Sequence, residues 1–521
     1  MERKEPAWVK TVSLSPPSLK DNTADADRLT DALKSQLNAE RIILDLDLLR
    51  SLPDLVRKWN YQVRCVLLKN RKHWELIHLT HPRDPAKLLG LAVDLGTSRI
   101  VLHLVDLTTG NTLAESSFNN PQLSIGPDIL ERIHYADQEN GLTRLNQLII
   151  ESLNQEIEKI CDSGNCHASD ILLIAAAGNT TMTHLFMGLK PYWIIREPYI
   201  PVVNRPDLLK ATKLGIEVHP LARTFIFPNV GSYFGGDLIA GILFSGMHKT
   251  TQTAMLVDVG TNAEVVLGNA NWLIACAGAA GPALEGGVTQ MGMMAGPGVI
   301  DRFAIAPDTS NFEFHTISGT KPIGICGSGL IDLAAQLFLA GMIDSRGKLV
   351  PAMCGSRIKE KTGLPYFVVV PAKDSATGTD LTISQADLDS LVRSKAAMYT
   401  ILETITTSVG ISMHDLKNFY VAGTFGSFIR PESAITIGML PDLPVASYKG
   451  LGNSSIGGAT MVLTSAEYLK EVDNIRDQVT YFELNVNQEF MNRFSAAKFL
   501  PHTNATLFPS VHVWQNRNRR D

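Results

Sequence analysis

Apolar and polar positions along the chain predict strands that end in glycine turns. Leu88–Asp94 is an apolar run of strand length that ends in Asp-Leu-Gly-Thr-Ser, and a second strand-like run, Ile100–Asp106, follows it. Such a pair predicts a hairpin whose tip exposes backbone N–H groups. Residues 256–262 repeat the pattern as Leu-Val-Asp-Val-Gly-Thr-Asn, ahead of the strand-like run Ala263–Leu267. Two copies of this short unit predict two related lobes that face one another.

Other segments have the periodicity of helices or of buried strands. Apolar residues recur at helical spacing over residues 384–409, with Ser384 as the expected N-cap and Gly410 as the stop. The same spacing predicts helices over Leu142–Ile160 and Gly235–Leu243. Short apolar runs predict strands at Ile171–Ala177 and from Tyr420 into the glycine turn of residues 423–426.

The N-terminal part of the chain has a different pattern. Residues 1–30 are polar and contain Ser-Pro-Pro, which predicts an extended lead-in. A helix over Leu52–Trp59, with Ser51 before it and Pro53 in its first turn, is followed by two strand-like runs. These runs are Tyr61–Leu68 and Trp74–Leu79. The predicted domains are therefore a lead-in (1–30), a small α/β middle domain (31–87), a first lobe (88–250), a second lobe (251–500) and a polar tail (501–521).

Composition and charge narrow the class of protein. A hydrophobic content of 45% and a charged content of 19% are ordinary for a globular chain. The net charge of −5 predicts no broad attraction to nucleic acid or to an anionic membrane, so a polyanion site must be local. No apolar run approaches the roughly 18 residues that span a bilayer. The polar start and six scattered cysteines fit a cytoplasmic protein without a disulfide framework.

The two repeated turns have the residues that a magnesium-bound triphosphate requires. Glycine lets main-chain N–H groups approach phosphate oxygens closely, and the threonine that follows adds a hydroxyl. Asp94 and Asp258 can hold Mg²⁺ through water, because magnesium prefers carboxylates and retained waters. An ordinary hairpin turn would explain one copy, but two copies and a late glycine turn favour nucleotide binding. The predicted nucleotide contacts are Gly96, Thr97, Ser98, Gly260, Thr261, Asn262 and, for adenosine, Gly423, Thr424, Phe425 and Gly426.

Asp237 is the candidate for orienting an attacking water, because it begins a helix shortly before the second turn. A helix-capping role for Asp237 explains its position equally well. Glu285 is a weaker candidate, and His184 fits a core histidine better than a ligand. The segment Cys161–His167 has too few ligands for a typical metal site, which favours an ordinary helix end. The two Asp-x-Gly-Thr turns and the late glycine turn at residues 423–426 predict an α/β fold of the two-lobed actin, sugar-kinase and heat-shock class, with a small N-terminal α/β domain.

Ordered motifs over nearly the whole chain resemble the ATP-dependent reductive activators of corrinoid proteins, which restore the cobalt(I) state of methyl-transferring corrinoid proteins. The motifs that carry the resemblance are Pro16–Asn22, Gly90–Thr97, Asn120–Gln122, Gly178–Met182, Val257–Asn262, Ala280–Gly286, Gly324–Asp332 and Ala422–Gly426. The resemblance implies duplicated ribonuclease-H-like lobes. It also implies a homodimeric ATPase that docks on a corrinoid protein and uses ATP to make an unfavourable electron transfer possible.

Two features depart from this family's pattern. Its members normally carry an iron–sulfur domain, and no cysteine pattern of that kind is found in these 521 residues. We therefore expect no cluster in this chain and either a separate ferredoxin-like electron donor or a lost redox role. The family's first turn usually continues with threonines where this chain has Ser98–Arg99. Arg99 is expected to pair with a phosphate or to point to solvent.

Three other functions fit the same residues. A small-molecule kinase would use the same fold to phosphorylate a sugar or a carboxylate. An ATP-sensing regulator would bind nucleotide without turnover. An activator of the acyl-CoA dehydratase type would need cysteine ligands for a cluster at a dimer interface, for which Cys276 and Cys326 are the candidates.

Overall fold

The computed structural model describes residues 8–259, 263–278, 289–305, 312–361, 363–423, 429–482 and 490–511, without the side chain of Lys361. The chain forms two compact units. The first unit comprises Met1–Phe244 and Ser454–Gln478, and the second comprises Ser245–Asn453 and Val479–Asp521. No helix in the described ranges combines the length and hydropathy needed to cross a bilayer.

The regular elements follow one another as a mixed α/β succession. As far as Ser245 they are β1 (Val9–Ser13), α1 (Asp25–Leu37), β2 (Ile42–Leu44), α2 (Leu46–Lys58), β3 (Gln62–Asn70), β4 (His73–Thr80), β5 (Leu89–Leu95), β6 (Arg99–Asp106), β7 (Thr112–Asn119), α3 (Ile129–Ala136), α4 (Gly141–Ser163), β8 (Ile171–Gly178), α5 (Thr180–Met187), β9 (Leu209–Lys210), β10 (Arg223–Ile226) and α6 (Gly236–Ser245).

The remaining elements are β11 (Ala254–Val259), β12 (Ala263–Asn269), β13 (Trp272–Gly278), β14 (Val299–Ile305), β15 (Phe312–Thr316), β16 (Gly324–Ile325), α7 (Gly327–Leu339), α8 (Pro351–Cys354), β17 (Ile358–Lys361), β18 (Leu364–Val370), β19 (Leu381–Ser384), α9 (Gln385–Ser408), β20 (Asn418–Ala422), α10 (Pro431–Thr436), β21 (Tyr448–Gly452), α11 (Ser454–Thr464), α12 (Glu467–Gln478), β22 (Val479–Tyr481) and α13 (Phe490–Ala497).

Five strands with the same order and directions occur in each unit, and an additional strand, β9 in the first and β22 in the second, extends each sheet at a different edge. The first sheet has the order β7-β6-β5-β8-β10-β9, and the second has the order β22-β13-β12-β11-β20-β21. In both, an antiparallel hairpin supplies the central strand, and two parallel strands follow on its other side. The predicted hairpins are therefore confirmed as strands, and each starts an equivalent sheet.

The small N-terminal domain differs from its prediction in three places, one of which is helix α1, because it begins at Asp25 inside the predicted extended lead-in. β1 pairs antiparallel with β3, and Val9 and Val12 are buried, so this part of the predicted lead-in belongs to the sheet. Helix α2 begins six residues earlier than predicted, because the Asp45 carboxylate accepts a hydrogen bond from the backbone N–H of Asp47. Pro53 consequently lies inside the helix and not in its first turn.

Two helices from late in the chain belong to the first unit. We predicted one continuous second lobe over residues 251–500, but α11 and α12 pack with the first unit. Helix α11 lies against β5 and β8. The two glycines at 457 and 458 allow a close approach to α6, since a Cβ at Gly458 would lie 2.3 Å from the Ala240 carbonyl oxygen.

Helix α9 follows its prediction closely. Ser384 caps it, and the hydroxyl of Ser384 and the carboxylate of Asp387 form a reciprocal capping box. Gly410, two residues beyond the helix, has φ = 69°, as a helix stop requires. Lys395, which is fully buried in this helix, donates to the carbonyl oxygens of Phe499 and Pro501 at 2.6 Å. These contacts attach the chain after α13 to α9.

Ion pairs and a pair of histidines join the N-terminal domain to the sheet of the first unit. The buried guanidinium of Arg223 lies 2.8 Å from the Glu75 carboxylate. The rings of His78 and His219 meet edge to face, with centroids 4.9 Å apart. Burial lowers the pKa of His78 to about 4, assisted by the charge of His219, and burial also lowers the pKa of His219.

Acid is expected to destabilise this contact. Because the pKa of His78 is lower in the folded chain than its ordinary value of 6.5, unfolding takes up a proton, and stability falls as the pH drops from about 6.5 towards 4. Between pH 7 and pH 5 the loss is roughly 2 kcal/mol in the free energy of unfolding. Urea unfolding at both pH values measures it. The variant His78→Phe keeps an aromatic ring and should have a smaller loss; an unchanged loss would contradict the assignment to His78.

Candidate functional site

The first repeated turn is narrow and requires glycine. Asp94 is the last residue but one of β5 and pairs with Val101 of β6. The turn then runs through Gly96, where a Cβ would lie 2.2 Å from the carbonyl oxygen of Arg99. Asp94 and Thr97 are half-buried and Ser98 is exposed, so solvent reaches the turn from one side.

Two buried side chains hold the carbonyl groups of this turn. The Asn120 amide donates to the carbonyl oxygen of Gly96 at 2.9 Å, and the Arg132 guanidinium donates to that of Thr97 at 2.7 Å. In a planar trans peptide the carbonyl and the next N–H point in opposite directions. The N–H groups of Thr97 and Ser98 are therefore directed away from these two side chains. A turn with fixed carbonyls and outward amides is suited to bind an anion.

Arg132 also places positive charge behind the turn. Its side chain is fully buried, and it donates in addition to the carbonyl oxygen of Gly126 at 2.8 Å. Burial lowers the pKa of Arg132 to about 10, which leaves the guanidinium charged at neutral pH. This cation complements the phosphate that the turn is predicted to bind.

A helix from late in the chain orients Asp94. The hydroxyl of Ser455, in the first turn of α11, donates to the Asp94 carboxylate at 2.8 Å. A serine hydroxyl donates one hydrogen bond, so it engages one of the two carboxylate oxygens of Asp94. The second oxygen can contact other groups. Ser455 lies 361 residues after Asp94, so local sequence reasoning could not pair them.

Loss of the Ser455 hydroxyl is expected to impair the site. Hydrogen bonds to charged groups contribute about 1.5–3 kcal/mol, so Ser455→Ala should lower nucleotide turnover about tenfold or more. Steady-state hydrolysis of Mg-ATP measures the effect. Thr460→Ala is the matched control, because Thr460 lies in the same helix and bonds His103 of β6 at 3.2 Å, away from Asp94. Equal losses in the two variants would assign the effect to helix packing.

The ends of two neighbouring strands meet at this turn. β5 and β8 are parallel, and Leu95 lies opposite Gly178, so their carboxyl ends share one edge of the sheet. Asn179 follows β8, caps α5 through the backbone N–H of Met182 at 2.9 Å, and donates to the Thr97 hydroxyl at 3.0 Å. The Gly178–Met182 motif thereby supports the first turn.

Asp237 lies near the same edge, at the second residue of α6. One of its carboxylate oxygens accepts from the backbone N–H of Leu238 at 2.9 Å. A Cβ on Gly235 would lie 2.5 Å both from that oxygen and from the Cα of Asn179. The start of α6 is thus packed against the residue that bonds Thr97, and Asp237 remains half-buried there.

The second turn repeats this arrangement in the second unit as far as it is described. Asp258 is the last residue but one of β11 and lies opposite Ala422 of β20 in parallel register. Gly423 has φ = 83°, and a Cβ there would lie 3.0 Å from the Asp258 carboxylate. Gly260–Asn262, Thr424–Gly426 and Glu285 lie outside the described residues.

The remaining candidate residues are buried or form hydrogen bonds with other parts of the fold. His184 is buried, its Nε2 accepts from the backbone N–H of Val202 at 3.0 Å, and its Nδ1 lies 2.6 Å from a backbone carbonyl oxygen, so the core prediction is confirmed. The Arg99 guanidinium donates to the Ser117 hydroxyl at 2.5 Å. Cys276 and Cys326 are buried, and burial raises the pKa of the Cys276 thiol to about 12. Buried cysteines do not fit a cluster shared at a subunit surface.

The cysteines are all unpaired, and Cys161 and Cys166 adjoin the end of α4. Within the described part of the chain, no three histidine, cysteine or acidic side chains are grouped as metal ligands.

Arg132 and Ser455 are the site residues that sequence reasoning missed. No sequence motif around Arg132 indicated a role at the turn. The two serines at 454 and 455 were predicted only to begin a helix and not to contact Asp94.

Known families match three consecutive parts of the chain. These are the RACo linker region over residues 1–85, the RACo middle region over residues 89–250, and the C-terminal domain of RACo, the ASKHA domain, over residues 252–512. A solved structure, described as a reductive activator for corrinoid, iron-sulfur protein, is 36% identical with a TM-score of 0.87. The match covers 98% of this chain and 82% of that one.

Two curated proteins are also similar over most of the chain. The corrinoid activation enzyme RamQ of Eubacterium limosum is 29% identical over 458 residues, which are 86% of this chain and 76% of RamQ. The Co(II) methylated amine-specific corrinoid protein reductase of Methanosarcina barkeri is 24% identical over 441 residues, 78% of this chain and 76% of its own length. The chain therefore belongs to the RACo family, with an ASKHA domain of the actin-like class that its repeated turns predict.

Proposed function

We propose that this protein reductively activates a corrinoid methyl-transfer protein, from cobalt(II) to cobalt(I), at the expense of ATP. Family membership and the names of the similar enzymes support the activity. The observation that carries the nucleotide part is the first turn, whose carbonyls are held by Asn120 and Arg132 so that its amides point outward. An ordinary hairpin turn needs no buried guanidinium behind it.

Each repeated turn has a defined part in the proposed chemistry. The amides and hydroxyls of Gly96–Ser98 and Gly260–Asn262 bind phosphate oxygens, and Gly423–Gly426 binds the adenosine. Asp94 and Asp258 would hold Mg²⁺ through water, and the metal would supply positive charge to neutralise the transferred phosphoryl group. Asp237 orients the attacking water from the start of α6.

The coupling to cobalt follows from differential affinity. ATP can shift an equilibrium only if it binds the states before and after the shift with different affinity. We propose that ATP favours the docked state in which the axial ligation of cobalt is changed and its reduction becomes favourable. The further proposals are a homodimer, a cytoplasmic location and an electron supply from a separate ferredoxin-like protein.

An anaerobic spectroscopic assay tests this function. The protein, Mg-ATP, a low-potential reductant and a cobalt(II) corrinoid protein are mixed, and the visible spectrum is followed for cobalt(I). Cobalt(I) is expected only with ATP, and the essential control omits ATP. ATP hydrolysis should also rise when the corrinoid protein is present. A rate indifferent to that partner, or a discrete phosphorylated small molecule in place of cobalt(I), would exclude the proposal.

A further inference from the structure

A cavity of about 250 Å³ lies in the first unit, apart from the residues assigned to nucleotide. Four separate stretches of chain line it: the end of β3 with the turn after it, the segment 205–208 before β9, Phe225 of β10, and Ala466 with the first two turns of α12. Its volume is close to the lower end of small-molecule sites, which begin at about 300 Å³. The cavity is therefore suited to a small ligand.

The floor of the cavity is apolar and its walls are fixed by ion pairs. Phe225, Leu208 and Leu469 supply apolar surface. Arg71 pairs with Asp207 at 2.6 Å, and Arg205 pairs with Asp473. Burial raises the pKa of Asp473, although the charge of Arg205 opposes this. Asp473 is therefore partly removed from water, whereas the Arg71–Asp207 pair is exposed to solvent.

Two lysines give the lining an excess of positive charge. The cavity is lined by Lys69, Arg71, Arg205 and Lys470 against Asp207 and Asp473. Both arginines are neutralised by the aspartates. Neither lysine has a carboxylate partner among the described residues, and the ammonium group of Lys69 instead lies 5.9 Å from the centroid of the Trp74 ring. Two cations therefore remain for a ligand to neutralise.

We propose that this cavity binds a small organic acid, with an anionic carboxylate or phosphate between Lys69 and Lys470 and an apolar, ring-sized body on Phe225 and Leu469. A purely inorganic anion would leave the apolar surface of Phe225, Leu208 and Leu469 in contact with water. A neutral apolar molecule would leave both ammonium groups without a counter-charge. The ligand would bridge the N-terminal domain, the segment before β9 and α12, which the ion pairs already join.

Calorimetric titration of the full chain tests the proposal, with a non-hydrolysable Mg-ATP analogue present to occupy the nucleotide turns. The probes are benzoate, phenyl phosphate, inorganic phosphate and the neutral benzyl alcohol. Benzoate or phenyl phosphate is expected to bind more tightly than the other two, and their order identifies the anionic group. Benzyl alcohol or inorganic phosphate binding as tightly as both aromatic anions overturns the chemical class.

Two kinds of variant locate the binding. The double variant Lys69→Gln, Lys470→Gln should weaken binding of the aromatic anion about fivefold, since it removes both positive charges that face the anionic group. Ala466→Phe should abolish binding by filling the cavity without a change in charge. Lys72→Gln is the matched control, because Lys72 lies in the turn after β3, three residues beyond Lys69, and does not line the cavity. Unchanged affinity in the double variant overturns the site, even if Ala466→Phe fails to fold.

Discussion

Replacing Asp258 with asparagine is expected to lower the rate of ATP hydrolysis by about 10²–10³-fold, as the loss of one preorganised electrostatic contact does in other enzymes. Asparagine keeps the size of the side chain, but it removes the charge that is proposed to hold Mg²⁺. The same change at Asp94, which bears the Ser455 hydrogen bond, should have a similar effect. Steady-state hydrolysis over a range of Mg²⁺ concentrations measures both.

The control for Asp258→Asn is Asp415→Asn. Asp415 is an exposed aspartate of the second unit that caps a short helical turn just before β20, so it is outside the proposed site. Its replacement should leave turnover near the original rate. If Asp258→Asn weakens only the affinity for Mg-ATP and the original chain shows no turnover, the ATP-sensing alternative replaces the enzymatic one.

A bulkier residue at position 458 is expected to have the largest effect on stability. In Gly458→Val the new Cβ would lie 2.3 Å from the carbonyl oxygen of Ala240 and 2.7 Å from its Cα. Backbone atoms cannot move aside as a side chain can, so α11 and α6 must separate. Overpacking of a tight core costs about 1–3 kcal/mol, and a collision with backbone should reach the upper end of that range. Chemical denaturation followed by circular dichroism measures the loss.

The adjacent glycine supplies a matched control. A Cβ at Gly457 would lie 2.6 Å from the ring of Phe244, which is 39% exposed and can rotate away. Gly457→Ala should therefore be tolerated, with a helix-propensity gain of up to about 1 kcal/mol. Because α11 carries Ser455 and α6 carries Asp237, Gly458→Val should also reduce ATP turnover. Equal stability losses at both positions would show that the contact with Ala240 is not the cause.

Local patterns predicted the elements on which the site is built. The apolar runs before Asp94 and Asp258 are central strands, and the run at Ile171–Ala177 is the parallel strand β8. Such strands can be predicted from the sequence because a strand buried on both faces must be apolar along its length. The bounds of helix α9 could also be predicted, because its N-cap at Ser384 and its stop at Gly410 are encoded by single residues at its ends.

Predictions failed where one local signal competed with another. Ser51 and Pro53 suggested the start of a helix, yet Asp45 is the residue whose carboxylate caps α2. Val9–Ser13 is too short and too near the end of the chain to have a clear period, and it becomes a strand because β3 offers it an edge. The first failure is a choice between two local caps, whereas in the second a neighbouring element, β3, decided the outcome.

Adjacent residues were enough to predict the first Asp-x-Gly-Thr turn, the strands on either side of both such turns and the α/β class, because glycine turns and apolar strands are encoded locally. Only the tertiary structure decided what stabilises the first turn. Asn120, Arg132 and Ser455 reach it from distant parts of the chain, and α11 and α12 return to the first unit. The physical reason is that hydrogen bonding and packing depend on which residues are close in space. Residues far apart in the sequence carry no local pattern that predicts such contacts.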